Sequence, residues 1–160
     1  MGLDDEDVVQ LCRIGLFQSI SPRDIMFLVR VSHTVIAESG TTVVKQNTMA
    51  DFFYVIVDGL LRVRIHLPNG SSIVPIYLTR GQYAGDPAIM EGKPRGGDLE
   101  AARDTRLVRV PGFTFRRIMS RPENRWRYEA KQQAQDSSNA RLAARALSNP
   151  SGHLVGSKAG

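Results

Sequence analysis

The chain has 160 residues, 42% of them hydrophobic, and a formal net charge of +5. That length suits one domain with a real core and a small appendage. The longest apolar run, Phe52 to Val57, is far too short to cross a bilayer, so no membrane span is expected.

The opening Met1-Gly-Leu-Asp-Asp-Glu-Asp7 is acidic and lacks the basic-then-apolar order of a signal peptide. Glu6 stands where a myristoylation motif wants Ser or Thr. The single cysteine, Cys12, allows no internal disulfide and suits a reducing compartment, so a cytoplasmic setting is expected. Residues 1–105 carry 10 basic and 13 acidic side chains, whereas residues 106–160 carry 11 basic and 3 acidic. The basic C-terminal third reads first as a solvated helical face and second as a patch for nucleic acid or an anionic surface.

Asp4 or Asp5 can cap a first helix through Val8, Val9, Leu11 and Cys12, ending at Gly15. Ser21-Pro22-Arg23-Asp24 starts a second, with Ile25, Met26, Leu28, Val29 and Val31 as its buried face. From Ser32 the period changes. Short β-rich runs lie near 34–36, 42–44, 52–57, 60–66, 73–78, 99–102 and 107–110. Asp58-Gly59 and Asn69-Gly70 between them read as tight hairpins. Closely set short strands argue for an antiparallel barrel or jelly roll.

After Pro111-Gly112 the helical pattern returns, first through Phe113, Phe115, Ile118 and Met119. Pro122 opens another helix with Trp126, Ala130 and Ala134 on one face. Asp136-Ser-Ser-Asn139 reads as a break before a last short helix through Leu142 and Leu147. The organisation expected is N-terminal helices over 1–31, a β-barrel over 32–111, C-terminal helices over 112–147, and a disordered tail over 148–160.

The stretch 81–101 carries the chemistry. Gly81 and Gly85 bracket a turn, Asp86 follows, and Arg95 comes nine residues later in Pro94-Arg-Gly-Gly97. One helical turn from Asp86 would present free N–H groups to an anion, and Arg95 offers a planar fork of donors suited to phosphate. A small anionic ligand carrying a hydroxyl for Asp86 fits these ingredients.

Three motifs place this stretch in a known context: Leu16-Phe17 with Ser21; Tyr54-Val-Ile-Val-Asp-Gly59 with Arg62-Val63; and Ala101-Ala-Arg-Asp-Thr-Arg-Leu107 with Phe115. Over residues 14–130 the chain resembles the cyclic nucleotide-binding domain family of catabolite activators, protein kinase A regulatory subunits and cyclic-nucleotide-gated channels. The resemblance implies a mainly β fold with flanking helices, an antiparallel jelly-roll barrel of about eight strands. It also implies that 81–101 is a phosphate-binding cassette. Gly85, Ala88 and Gly96 would bring backbone amides to the cyclic phosphate, Arg95 would pair with it, and Asp86 would accept from the ribose 2′-hydroxyl. Pro87 and Gly97 complete the binding set.

Departures from the family pattern accompany these matches. Asp86 is one methylene shorter than the usual glutamate, Pro87 removes an N–H, and Ala84 replaces a bulky aromatic. Gly96 offers no hydroxyl to a guanine amino group, which makes cAMP the expected ligand ahead of cGMP. Trp126 or Tyr128 would stack on the base or, for Trp126, pack into the core. The resemblance implies a sensor that transmits through its C-terminal helices, acting as a homodimer or with a fused or partner effector. The alternative is a nucleotide-free docking or dimerisation module in which Arg95 pairs with Asp98 or Glu91.

No enzymatic role is expected. His33, His66 and His153 lie on different elements, and no nucleophile is set beside a base. From Pro122 only 39 residues remain, without two apolar-faced helices around a glycine turn, so direct DNA reading is not expected.

Overall fold

The computed structural model describes residues 1–148. Helix α1 (Asp5–Arg13) is capped by Asp4, whose carboxylate accepts from the Asp7 N–H while Asp7 returns the bond. Helix α2 (Pro22–Val31) starts from Ser21 with Pro22 in its first turn. The strands are β1 (His33–Ala37), β2 (Thr42–Val44), β3 (Phe52–Asp58), β4 (Leu60–His66), β5 (Ser72–Thr79), β6 (Tyr83–Ala84), β7 (Asp98–Ala101) and β8 (Thr105–Pro111). Helix α3 (Asp86–Glu91) interrupts them, and α4 (Gly112–Met119) and α5 (Pro122–Ser148) follow.

Two antiparallel sheets form, ordered β1-β8-β3-β6 and β2-β7-β4-β5. This is the jelly-roll arrangement of eight strands, but the sheets stay separate and do not close into a barrel. The strands at two of their edges, β6 and β2, have two and three residues, too few for a ladder that would join the sheets.

Three layers result. Phe53, Val55 and Val57 of β3 face the helices, beside Val108 and Val110 of β8, Leu11, Leu28, Phe115 and Ile118. Tyr54 and Ile56 face the second sheet, with Leu107, Leu61, Leu78 and Leu99. Strand alternation therefore buries both faces of β3. Phe53 stacks on Phe115 at 4.3 Å between ring centroids, and Phe17 meets both edge-on. Arg106 of β8 ties α1 down through the fully buried Asp7 carboxylate at 2.8 Å.

Three further sequence expectations change. Asn69-Gly70 does turn a hairpin between paired strands β4 and β5. Asp58-Gly59 does not: β3 and β4 belong to different sheets, and Gly59 turns the corner between them. Its φ of +116° and the nearness of Thr105 demand glycine; a Cβ there would sit 2.6 Å from Thr105 Cα. Met26 is exposed rather than on the buried face of α2. No break occurs at 136–139, because Ser138 satisfies its hydroxyl on the Ala134 carbonyl and rides within α5. The expected tail, apart from Ser148 at the end of α5, lies outside the described residues. Among those residues, no helix is long and apolar enough to cross a membrane.

Gly59→Ala is expected to lose more than about 1 kcal/mol in urea unfolding, since neither the backbone conformation nor the space admits a Cβ. Met26→Ala, at an exposed site, should stay within about 0.5 kcal/mol of the parent.

Candidate functional site

Residues 81–101 fold over the end of β3. Strand β6 pairs with β3, setting Ala84 opposite Tyr54, and delivers the chain to Gly85. Gly85 caps α3 at φ +104°, and Gly92 ends it at φ +66°. Pro87 lies exposed in the first turn, so the turn survives its missing N–H. Ala88 is half-buried and accepts from the Lys93 N–H through its carbonyl.

Arg95 is fixed at its backbone from both sides. Its N–H donates to Thr48 O and its carbonyl accepts from Asn47 N, each at 2.8 Å. Its side chain is only 7% exposed. Nη2 donates to the Phe52 carbonyl, Cζ lies 5.9 Å from the Tyr54 ring centroid, and Nε is buried without an acceptor. The guanidinium packs on Gly85 so closely that a Cβ there would come within 2.2 Å of Nη1. Neither Asp98 nor Glu91 pairs with Arg95. Asp98 accepts from Gln46 N at 2.7 Å and meets His66 at 2.6 Å, and Glu91 meets Lys93.

Asp86 is buried beneath α5. Its Oδ2 accepts from Gln132 Nε2 at 2.6 Å and from the Tyr128 hydroxyl at 3.3 Å. Burial raises its carboxyl above the usual 3.8, against the pull of its own N–H, Tyr128, Gln132 and Arg95. The same enclosure pushes the Tyr83 phenol up to about 12, mainly by burial and then by the Asp86 charge.

Gly85, Asp86 and Arg95 are thus gathered around one spot. Gly97 lies close beside them in the chain and is needed sterically, since a Cβ would press to 2.9 Å on Arg64 O, whereas Gly96 is exposed with open space around it. Trp126 is 59% exposed with Arg127 over its ring, outside the core. The buried stripe of α5 is Asn124, Tyr128 and Gln132 instead of Trp126, Ala130 and Ala134. Sequence reasoning missed Gln132. Its i, i+4, i+8 spacing from Asn124 was present, but the stripe is polar and matches a carboxylate rather than an apolar core. Two surface grooves, of about 550 and 1030 Å³, are lined by residues such as His66 and Asp98, and Arg23 and Phe27; neither is lined by Asp86 or Arg95.

The sequence profile of the cyclic nucleotide-binding domain matches residues 34–122, more than half of the chain. The chain belongs to the cyclic nucleotide-binding domain family. Relatives of this cyclic nucleotide-binding domain include a cAMP-dependent protein kinase regulatory subunit of Dictyostelium discoideum, 32% identical over 97 residues, which are 61% of this chain and 29% of that protein. A CRP-like cAMP-activated global transcriptional regulator of Mycobacterium tuberculosis is 25% identical over 71% of this chain and 51% of its own length. The chain therefore spans from under a third to about half of these relatives. The catabolite activator protein of Thermus thermophilus shares the fold, with a TM-score of 0.67 at 18% identity over 83% of this chain and 62% of that one.

The raised Asp86 carboxyl sets a pH dependence of stability. A folded value above the unfolded one means the stability tied to its protonation is complete below about pH 4 and is lost as pH rises through the folded value. Asp86→Asn should therefore unfold at higher temperature than the parent at pH 7, with the gap narrowing as pH falls toward 4. Thermal melts across that range check it.

Proposed function

We propose that this domain is a regulatory sensor for a cyclic nucleotide, cAMP ahead of cGMP. The observation that carries the reading is the state of Arg95. It is a buried cation pressed on a glycine, engaged in no ion pair among the described residues, and left with an unpartnered Nε. Burial disfavours its charged form, and the nearby Tyr54, Asp51 and Asp86 offset that only in part, so an anion in direct contact would complete it. A phosphodiester supplies that anion with two oxygens matched to the guanidinium fork. cAMP is the ligand named for both curated relatives described above.

In this reading Arg95 exchanges the Phe52 carbonyl for the phosphate. Gly85, Ala88, Gly96 and Gly97 let backbone approach it, and Pro87 stiffens the turn between. Asp86 holds the ribose 2′-hydroxyl. Gln132 and Tyr128 already donate to its Oδ2, so the sugar adds a third donor to a buried carboxylate shared with α5, which is how occupancy reaches that helix. The sugar and α5 compete for one carboxylate, and binding shifts the balance of helix positions. The role is binding rather than catalysis, in the cytoplasm. The output passes to a homodimer partner or to a fused or separate effector, without DNA reading by this segment.

Calorimetric titration with cAMP and cGMP tests the reading. Heat saturating at one site with cAMP is expected, and no heat from either ligand at high micromolar concentration, with the domain folded, would overturn it. Arg95→Ala should abolish the ligand-induced rise in melting temperature. Tyr128→Phe combined with Gln132→Ala should tighten cAMP binding about threefold to tenfold by releasing Asp86; unchanged or weaker binding would sink the competition with α5.

A further inference from the structure

Arg109 of β8 is a second arginine with a buried Nε and no acidic partner among the described residues. Leu107 lies in the core between the sheets, while Val108 and Val110 face the helices. By strand alternation Arg109 points between the sheets, on the same side as Leu107. It stands opposite Tyr54 in the ladder, and its Cζ lies 4.7 Å from the Phe52 ring centroid. Its Nε is buried with no acceptor, and it enters no ion pair among the described residues.

Phe52 connects the two arginines. Its ring carries Arg109 and its carbonyl accepts from Arg95. Tyr54 is likewise shared: burial raises its phenol, and the charges of Arg95 and Arg109 both pull it back. The two buried side-chain atoms left without a hydrogen bond among the described residues are the Nε atoms of these same two arginines. Two guanidiniums on one aromatic wall repel each other, and each wants an acceptor. Ala84, facing Tyr54 across the β3–β6 ladder, adds little bulk to that wall.

We infer that Arg109 is a second anion-binding residue of the cassette, pairing with a phosphodiester of the bound nucleotide while Arg95 takes its own contact. The inference rests on the sensor reading above and extends it: affinity depends on both arginines, and the ligand class is a nucleotide with one or more phosphodiesters. That group is either the single phosphate of a cyclic mononucleotide, shared by both arginines, or the second phosphate of a cyclic dinucleotide.

The test is calorimetry on the full chain and on its Arg95→Ala, Arg109→Met and Arg109→Lys variants. The probes are cAMP, cGMP, cyclic di-GMP and adenosine. Methionine keeps an apolar stem against Phe52, and lysine keeps the charge without the fork. Arg109→Met should weaken the phosphodiester ligand that the parent binds by about tenfold or more, with a smaller loss for Arg109→Lys. Adenosine affinity and the unliganded melting temperature should stay near the parent's. A loss confined to cyclic di-GMP supports the inference and assigns Arg109 to the second phosphate. A comparable loss for cAMP supports it and assigns Arg109 to the shared one. Parental affinity in Arg109→Met, or an equal loss with adenosine, overturns it. If the parent binds in an Arg95-dependent way and Arg109→Met is unaffected, the sensor reading stands and this inference alone falls. No binding by the parent to any phosphodiester removes both.

Discussion

Strand β3 is buried on both faces, and the rest of the domain is organised around that constraint. Phe53, Val55 and Val57 anchor the helical layer, while Tyr54 and Ile56 anchor the second sheet. A one-residue slip would exchange these two sets and place Phe53 where Tyr54 stands. The same strand holds the cassette: it pairs with β6 before Gly85, and its Phe52 carbonyl accepts from Arg95. Register in the core and geometry at the cassette are therefore one specification. Few substitutions on β3 can be purely structural or purely functional.

Around the 81–101 segment, the domain satisfies its polar groups with its own atoms, and unevenly. Asp86 is well served by Gln132 and Tyr128 yet is buried enough for its ionised form to be disfavoured. Arg95 has one carbonyl acceptor, that of Phe52, and one orphaned nitrogen. The site is neither open nor sealed by mutual neutralisation. Asp86 and Arg95 form no ion pair: each is held by separate partners, and Arg95 acts on Asp86 through its field alone.

Much of this was legible in the residues, and the exceptions share a cause. Capping at Asp4 and Ser21, the Asn69-Gly70 hairpin and seven of the eight strands follow from local chemistry. Strand β6 was missed because two residues carry no periodicity. Asp58-Gly59 was misread as a hairpin because a positive-φ glycine suits a corner between sheets as well as a turn within one. Only long-range pairing tells them apart. At the cassette, the gathering of Gly85, Asp86 and Arg95 could be anticipated from sequence. The partners of Asp86 on α5, and the face Arg109 presents, could not. They depend on how distant elements meet, and apolar periodicity pointed to Trp126, which stands in solvent.

The polar character of the α5 stripe has a thermodynamic consequence. Among its described residues the helix sinks one aromatic ring, that of Tyr128, and otherwise rests on Asn124, Gln132 and long cations such as Arg127, which donates to Ser19 O. Lifting such a helix exchanges protein hydrogen bonds for water and uncovers little hydrocarbon. The heat-capacity change of that motion is correspondingly small, because apolar exposure dominates the quantity. Under the proposed sensor reading, the enthalpy of displacing α5 therefore changes little between cold and warm, and its equilibrium follows a nearly straight van 't Hoff line.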